Sequence, residues 1–198
     1  MRFIEPVILS GKHVALEPLA REHEPAIKAA AADGELWKLW YTGVPTPEGT
    51  AAWIDAALAM RDDLHAMPFI IRELATGAIV GSTRYFCVDV KNRRLEIGHT
   101  FYARRVQRTA INTECKLLLF SHAFETLKCI AVELRTSFFN FQSRRAIERL
   151  GAKQDGILRN HILHTDGTIR DSVVFSVIAS EWPVVKHHLG YQLARPRS

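Results

Sequence analysis

No apolar run in this chain approaches the ~20 residues that span a bilayer, so a transmembrane helix is not expected. Cysteine is scarce. Cys87, Cys115 and Cys129 are an odd number set in apolar stretches, which reads as buried free thiols in a reducing cytoplasm rather than a disulfide framework. The nine histidines are scattered and no Cys/His spacing suits zinc, so no metal is expected. The N-terminus carries Glu5 and Pro6 and lacks the long apolar core of a secretory signal. Internal repeats, low-complexity tracts and interdomain linkers are also missing. These absences point to one cytoplasmic domain over residues 1–198. About 183–198 is expected as a C-terminal tail, its Arg195-Pro196-Arg197 end fraying.

What is there is ordinary for a globular chain of 198 residues: 47% hydrophobic, 24% charged, and long enough for a sizeable core. The net charge of +5 permits nucleic-acid binding, yet the basic residues form no dense face and no stacking-aromatic motif accompanies them. An RNA- or ribosome-associated role, whose mark would be steep salt dependence, therefore ranks last. Two basic clusters stand out, Arg104–Arg108 and Arg144, Arg145 with Arg149, and both suit a phosphate ligand.

In chain order, a Gly11-Lys12 turn leads into a strand around His13–Leu16. Ala20–Ala32 is helix-friendly and stops at Asp33-Gly34. Leu36, Trp37, Leu39, Trp40 and Tyr41 form an aromatic cluster before a Gly43/Pro45/Pro47 loop. It packs under that loop or walls a substrate pocket. A second helix is expected from Thr46-Pro47 to about Leu64, capped by Thr46, with Trp53, Ile54, Ala57 and Leu58 as its apolar stripe. Strands follow at Pro68–Arg72, Ala78–Val88 and Leu95–Tyr102, joined by tight turns as an antiparallel meander. A helix near Asn112–Phe124 is apolar on more than one side. A strand at Cys129–Phe138, a short helix at 143–150 ended by Gly151, and a hairpin (Lys153–Leu163, turn Thr165-Asp166-Gly167, Ile169–Ile178) complete the order. Strand 95–102, helix 112–124 and strand 129–138 make a βαβ unit with parallel strands. The spare edge of the terminal hairpin allows a homodimer.

Residues 94–126 organise the rest. A strand enters a basic turn of Arg104, Arg105, Gln107, Arg108 and Thr109, and a helix leaves it. The first amides of a helix lack internal partners and its dipole favours negative charge there, so this is a ready anion site.

That order, with Asn112-Thr113-Glu114 opening the central helix and Asn140 to Ala152 following the next strand, resembles the GNAT N-acetyltransferases. Within them the chain looks most like the branch of ribosomal-protein N-terminal (alanine/serine) acetyltransferases, over nearly its whole length. The resemblance implies an α+β fold, a mostly antiparallel mixed sheet with one splayed parallel strand pair, flanked by helices. The family pattern Gln/Arg-x-x-Gly-x-Gly/Ala falls on Gln107–Asn112, where Ala110 and Asn112 replace the usual small residues. Glycine there allows close phosphate approach and positive φ. Asn140-x-x-Ser143 followed by Leu150-Gly151-Ala152 matches the branch better.

The resemblance further implies acetyl-CoA as co-substrate, lying between the splayed strands. Its pyrophosphate would rest on the amides of Gln107, Arg108, Thr109, Ala110, Ile111 and Asn112. Its pantetheine would pair with the strand edge at Phe101, Tyr102 and Ala103, with Asn140 holding the arm. The 3′-phosphate would lie near Arg104, Arg105 or Arg108, assisted by Arg144 or Arg145. Asn140 also suits a helix cap. Trp37, Trp40 and Tyr41 would shape the acceptor pocket together with the 153–178 hairpin.

The chemistry implied is attack of a neutral amine on a thioester. At pH 7 deprotonation costs about 1 kcal/mol for an α-amine of pKa roughly 7.8 and nearly 5 for a lysine of about 10.4. A peptide N-terminus or a small amine is the expected acceptor, needing only a modest base. Glu96, on the cofactor strand, is the candidate base. His99 is the alternative, placed on the opposite face by strand alternation. Glu96 could equally pair with Arg84 or Arg94. Backbone amides near Phe101–Tyr102 could hold the oxyanion. The tyrosine that many of these enzymes use as acid is replaced by Ile147, leaving Ser143 to donate, unless it only caps its helix. The alternative to catalysis is a non-catalytic CoA-binding regulatory module.

Overall fold

The computed structural model describes residues 3–63, 65–164 and 166–195. The expected end of the second helix at Leu64, the first turn residue Thr165, and Pro196 and Arg197 of the tail lie outside the described residues. In chain order the elements are β1 (Leu9–Ser10), β2 (Val14–Pro18), α1 (Glu24–Ala32), α2 (Thr50–Asp62), β3 (Ala66–Glu73), β4 (Ile79–Asp89), β5 (Arg94–Tyr102), α3 (Ala110–Ser121), β6 (Ala131–Ser137), α4 (Phe141–Arg149), β7 (Lys153–Leu163), β8 (Ile169–Ile178) and α5 (Trp182–Ala194).

The strands form one sheet in the order β1-β2-β3-β4-β5-β6-β8-β7. Every neighbouring pair is antiparallel except β5 and β6, which are parallel and joined through α3. The mixed, mostly antiparallel sheet with one parallel pair is therefore as the sequence leads one to expect. Adjacent residues of β4 show how the faces are covered, since successive side chains point to opposite sides. Tyr85 donates to the Leu119 carbonyl of α3 at 2.6 Å, whereas Arg84 lies against Trp53 of α2. So α3 covers one face, and α1 and α2 pack on the other.

Three boundaries differ from expectation. The second helix begins at Thr50, with Gly49 as its N-cap; Thr46 instead accepts the Gly49 amide and closes the preceding turn. The central helix opens at Ala110, not near Asn112–Thr113, because Thr109 is extended and its hydroxyl accepts the Ile111 amide. The stretch expected as a tail from about 183 is the helix α5, with Trp182, Val185 and Leu189 buried. Cys115 and Cys129 are buried as expected, but Cys87 is exposed. It sits at a register shift in β4 with φ of 48°.

The β1–β2 turn is fastened to α3 by a buried carboxylate. Glu114 accepts the amides of Lys12, His13 and Val14 through its two oxygens. A Cβ at Gly11 would lie 2.5 Å from the Glu114 carboxyl carbon, so glycine is what lets the turn close over it. Three buried or half-buried amides depend on one side chain. Glu114→Ala is therefore expected to cost about 3 kcal/mol, lowering Tm by about 6–12 °C; a fall under about 2 °C in thermal unfolding would refute that linkage.

Candidate active site

β5 and β6 run together for only three pairs, Arg94–Ala131, Leu95–Val132 and Glu96–Glu133. Beyond Glu96, β5 keeps its partner β4 as far as Tyr102, and β6 keeps β8 as far as Ser137, but the two no longer pair with each other. Two strand edges thus face one another across a widening gap.

The β5 side of the gap is shaped by a bulge. The β4–β5 register shifts between Ser82 and Arg84, and His99 takes a φ of 47°. Such an extra residue sharpens the local twist. On the α3 face Thr100 is held by Lys116 at 3.0 Å and by Thr83 at 2.8 Å. Gly81 permits the close approach of β5, since a Cβ there would lie 2.1 Å from the Phe101 carbonyl oxygen. The bulge also corrects the expected placement of His99. Instead of facing away from Glu96, its ring meets Phe86 edge-on at 4.9 Å, and Phe86 is the β4 partner of Glu96. His99 keeps an exposed surface; crowding, then the nearby Arg84 charge, depresses its pKa.

Both helices that follow the parted strands start at the open end. α3 begins after the Arg104–Val106 turn and α4 after Asn140, whose side chain accepts the Ser143 amide at 3.0 Å. Asn140 is therefore a helix cap, with Ser143 in the first turn. Gln107 donates to the Tyr102 carbonyl at 3.0 Å and meets Gln142 of α4 at 3.4 Å, bringing the two walls together. Trp40 contacts Phe139 at 5.8 Å and Tyr41 at 5.5 Å, placing the α1–α2 connection beside the same mouth. Trp37 is half-buried just before it.

The basic turn is only partly free for a ligand. The Gln107 amide donates to Arg104 and the Ile111 amide to Thr109 Oγ1, which removes both from the expected anion cradle. Among the described residues the Thr109 amide meets no acceptor, and the first α3 amides have no carbonyl a turn earlier within the helix. Positive φ falls on Arg108, at 63°, while Ala110 and Asn112 are helical. Neither of those two replacements therefore strains the backbone. Arg105 reaches toward β3, pairing with Glu73 at 2.8 Å, and its amide donates to Asp33 at the end of α1. That arginine points away from the gap, contrary to expectation. Arg104 packs beside Gly34. Phe101 and Ala103 are buried, and Tyr102 is half-buried. Arg144 stacks on Phe138 and Phe141, and Arg145 is exposed beside a shallow depression it shares with Phe141, Arg144 and Glu148.

At the closed end of the gap lies a charge cluster that the sequence did not announce. Glu96 is 4% exposed, and its Oε2 is 3.3 Å from Arg135 Nε, an ion pair out of line for a hydrogen bond. Neither Arg84 nor Arg94 is its partner: Arg94 pairs with Glu133, and Arg135 bridges Glu133 and Glu96. Burial pushes the Glu96 pKa up to about 7, with Arg135 opposing, Glu133 adding and Arg170 opposing. For Glu133 burial also pushes upward, but hydrogen bonds from Arg135 and Arg94 outweigh it and the net shift is down. Residue spacing could have hinted at Glu133 and Arg135, two apart on one strand face, but nothing in it pairs them with Glu96.

A family model described as "Acetyltransferase (GNAT) domain" matches residues 13–153. Among solved structures, a GCN5-related N-acetyltransferase from Brucella melitensis shares 30% identity at a TM-score of 0.87, covering 96% of this chain and 87% of that one. A T. thermophilus protein assigned to the acetyltransferases shares 32% identity at a TM-score of 0.84, covering 96% and 98%. Mycobacterium smegmatis RimJ in complex with CoA-disulfide shares the fold at 20% identity and a TM-score of 0.79, covering 94% and 95%. No curated protein matches the sequence.

The raised pKa of Glu96 has a definite linkage. The folded state holds this proton up to about pH 7, while the unfolded chain releases it near the ordinary 4.5. Ionising Glu96 therefore opposes folding, and its contribution to stability falls as pH rises across that window. Glu96→Gln is expected to gain on the parent by about 3 kcal/mol between pH 4.5 and 8. Urea unfolding of both proteins at several pH values tests this; a constant difference would refute it.

Proposed function

The chain belongs to the GNAT acetyltransferase family, and on that premise we propose that it transfers acetyl from acetyl-CoA to a primary amine by direct attack in a ternary complex. The acceptor classes that fit are a protein or peptide N-terminal α-amine and a small-molecule amine. One observation carries the proposal: a buried carboxyl of pKa about 7 stands where the two parallel strands part.

The residues fit an extended thioester nucleotide. Past Glu96 the β5 edge at Phe101, Tyr102 and Ala103 no longer pairs with β6 and would run along a pantetheine arm, with the Tyr102 carbonyl already held by Gln107 and the Ala103 amide by the Val80 carbonyl; Asn140 borders the gap from the start of α4. Two helix starts converge on the mouth, α3 at Thr109–Asn112 and α4 at Phe141–Ser143, and both favour anions. Exposed Arg104 and Arg145 flank these helix starts and would add positive charge for phosphate, with Arg108 also exposed in the basic turn. The bound co-substrate supplies an acetyl group already activated as a thioester.

Glu96 acts as the base. Near neutral pH about half its population is ionised and able to take a proton from an ammonium acceptor, directly or through water. A pKa near 7 matches an α-amine of roughly 7.8 far better than a lysine of about 10.4. Ser143, half-buried in the first turn of α4, supplies a hydroxyl for the departing thiolate in place of the tyrosine that Ile147 lacks. Main-chain amides near Tyr102 are the donors available to the developing oxyanion. His99 lies beside Phe86 as a neutral polar neighbour, and Trp37, Trp40 and Tyr41 wall the acceptor's approach.

CoA release, assayed against N-terminal peptides, polyamines and amino acids, is expected with at least one class. It should rise with pH through about 7 as Glu96 ionises. Glu96→Gln should lower kcat about 10²-fold or more while acetyl-CoA still raises Tm. No thermal shift at millimolar acetyl-CoA would overturn the assignment. A shift without CoA release from any acceptor would favour a non-catalytic CoA-binding module.

A further inference from the structure

One guanidinium on the Glu96 face lacks the carboxylate partner that Arg72 and Arg135 possess. Arg84 is 2% exposed, and its Nε meets no hydrogen-bond acceptor. Its Nη1 lies 3.5 Å from the Met60 sulfur, and the guanidinium stacks 5.0 Å from the Trp53 ring centre. Those are weak substitutes for an anion. Burial alone acts on its pKa, pulling it down to about 10, and among the described residues no carboxylate pairs with it. By contrast, Arg72 is held by both oxygens of Glu17 at 2.7 and 2.8 Å, and Arg135 by Glu133 at 2.9 Å. A buried guanidinium without a countercharge is costly to fold around, so it points to a ligand that supplies one.

The position of Arg84 says which ligand. Arg84 is the β4 partner of Gly98, and Phe86 that of Glu96, so Arg84 and Glu96 share one face two residues apart. That separation is on the order of 7 Å along the strands. Gly98 lies between them with no side chain of its own, and the Phe86 ring packs over it: a Cβ there would be 2.5 Å from that ring and 3.6 Å from Glu96 Oε1. The half-buried Trp53 ring covers Arg84 on this face. A group bound to Arg84 therefore lies within a small molecule's length of the carboxyl that receives the amine's proton.

We propose that Arg84 binds a carboxylate of the acceptor, so that the amine substrate is an amino acid or short acidic peptide. This rests on the acetyl-transfer reading, with Glu96 as base. A planar guanidinium and a planar carboxylate are geometrically matched. The amine is directed to Glu96 and the carboxylate to Arg84, and Trp53 is the cover displaced on binding.

The test measures CoA release with amino acids and acidic dipeptides, each beside its carboxamide, and with aminoethyl phosphate as a second anionic amine. The carboxylate member of at least one pair is expected to have a kcat/KM at least tenfold above its amide, mostly through KM. Arg84→Gln should bring that ratio close to one, and Arg84→Lys should restore part of it. Arg84→Met should unfold at a temperature no lower than the parent. Amides equal to acids throughout, equal losses on both members in Arg84→Gln, or preference for the phosphate would overturn the proposal. So would a large fall in Tm for Arg84→Met, which would make Arg84 a structural residue. Failure of acetyl-CoA itself to raise Tm would instead sink the acetyl-transfer reading. In that case a thermal shift by millimolar N-acetyl amino acid, lost in Arg84→Gln, still decides whether Arg84 binds carboxylate; no shift overturns it.

Discussion

Everything at this site depends on two parallel strands that agree for three residues and then separate. A sheet resists such a parting, because each backbone amide and carbonyl left without a ladder partner must be satisfied elsewhere. Each strand retains its outer neighbour, so only the inner edges are forfeited. On the β5 edge the Tyr102 carbonyl is taken by the Gln107 side chain. The bulge at His99 adds twist, and the Lys116–Thr100 contact from α3 fixes the strand after the bulge. The separation is therefore built by side chains on both faces.

The electrostatics follow from where the strands still touch. Glu96 and Glu133 sit opposite one another at the last shared pair, and two carboxylates so close cannot both ionise freely. Arg135 and Arg94 give hydrogen bonds to Glu133, which settles as the charged member. Glu96, more deeply buried and without a hydrogen bond from Arg135, is left near neutrality. Environment thus gives different roles to two chemically similar groups on adjacent strands.

The strand and helix order was legible because period-two and helical patterns, turn residues and the βαβ spacing all agreed. The resemblance to a known family pointed to the parting of the two parallel strands, which the register shows, and put forward Glu96 as the candidate base. Two kinds of feature were hidden. One is any change in strand parity: His99 reads as facing away from Glu96 until a bulge with positive φ turns it back. The other is a polar residue within an apolar helix. Glu114 and Lys116 lie in a run that reads as greasy, yet one captures three amides of the first turn and the other braces Thr100. Ala110 and Asn112 looked like departures in a phosphate loop, but the left-handed residue is Arg108 and both fall inside the helix. Partners of long arginines, such as Arg105 with Glu73 and Arg135 with Glu96, depend on distances between strands that spacing does not encode.

The unequal exposure of the thiols makes the molecule a natural single-site target for labelling chemistry. Cys115 is sealed and its thiol pushed up by burial, and Cys129 is raised to about 11 for the same reason. Cys87 alone reaches solvent, at the irregular end of β4, where its own upward shift comes from burial and then from the Glu96 charge. A spectroscopic probe attached there would sense the protonation of the neighbouring carboxyl without any cysteine having to be removed.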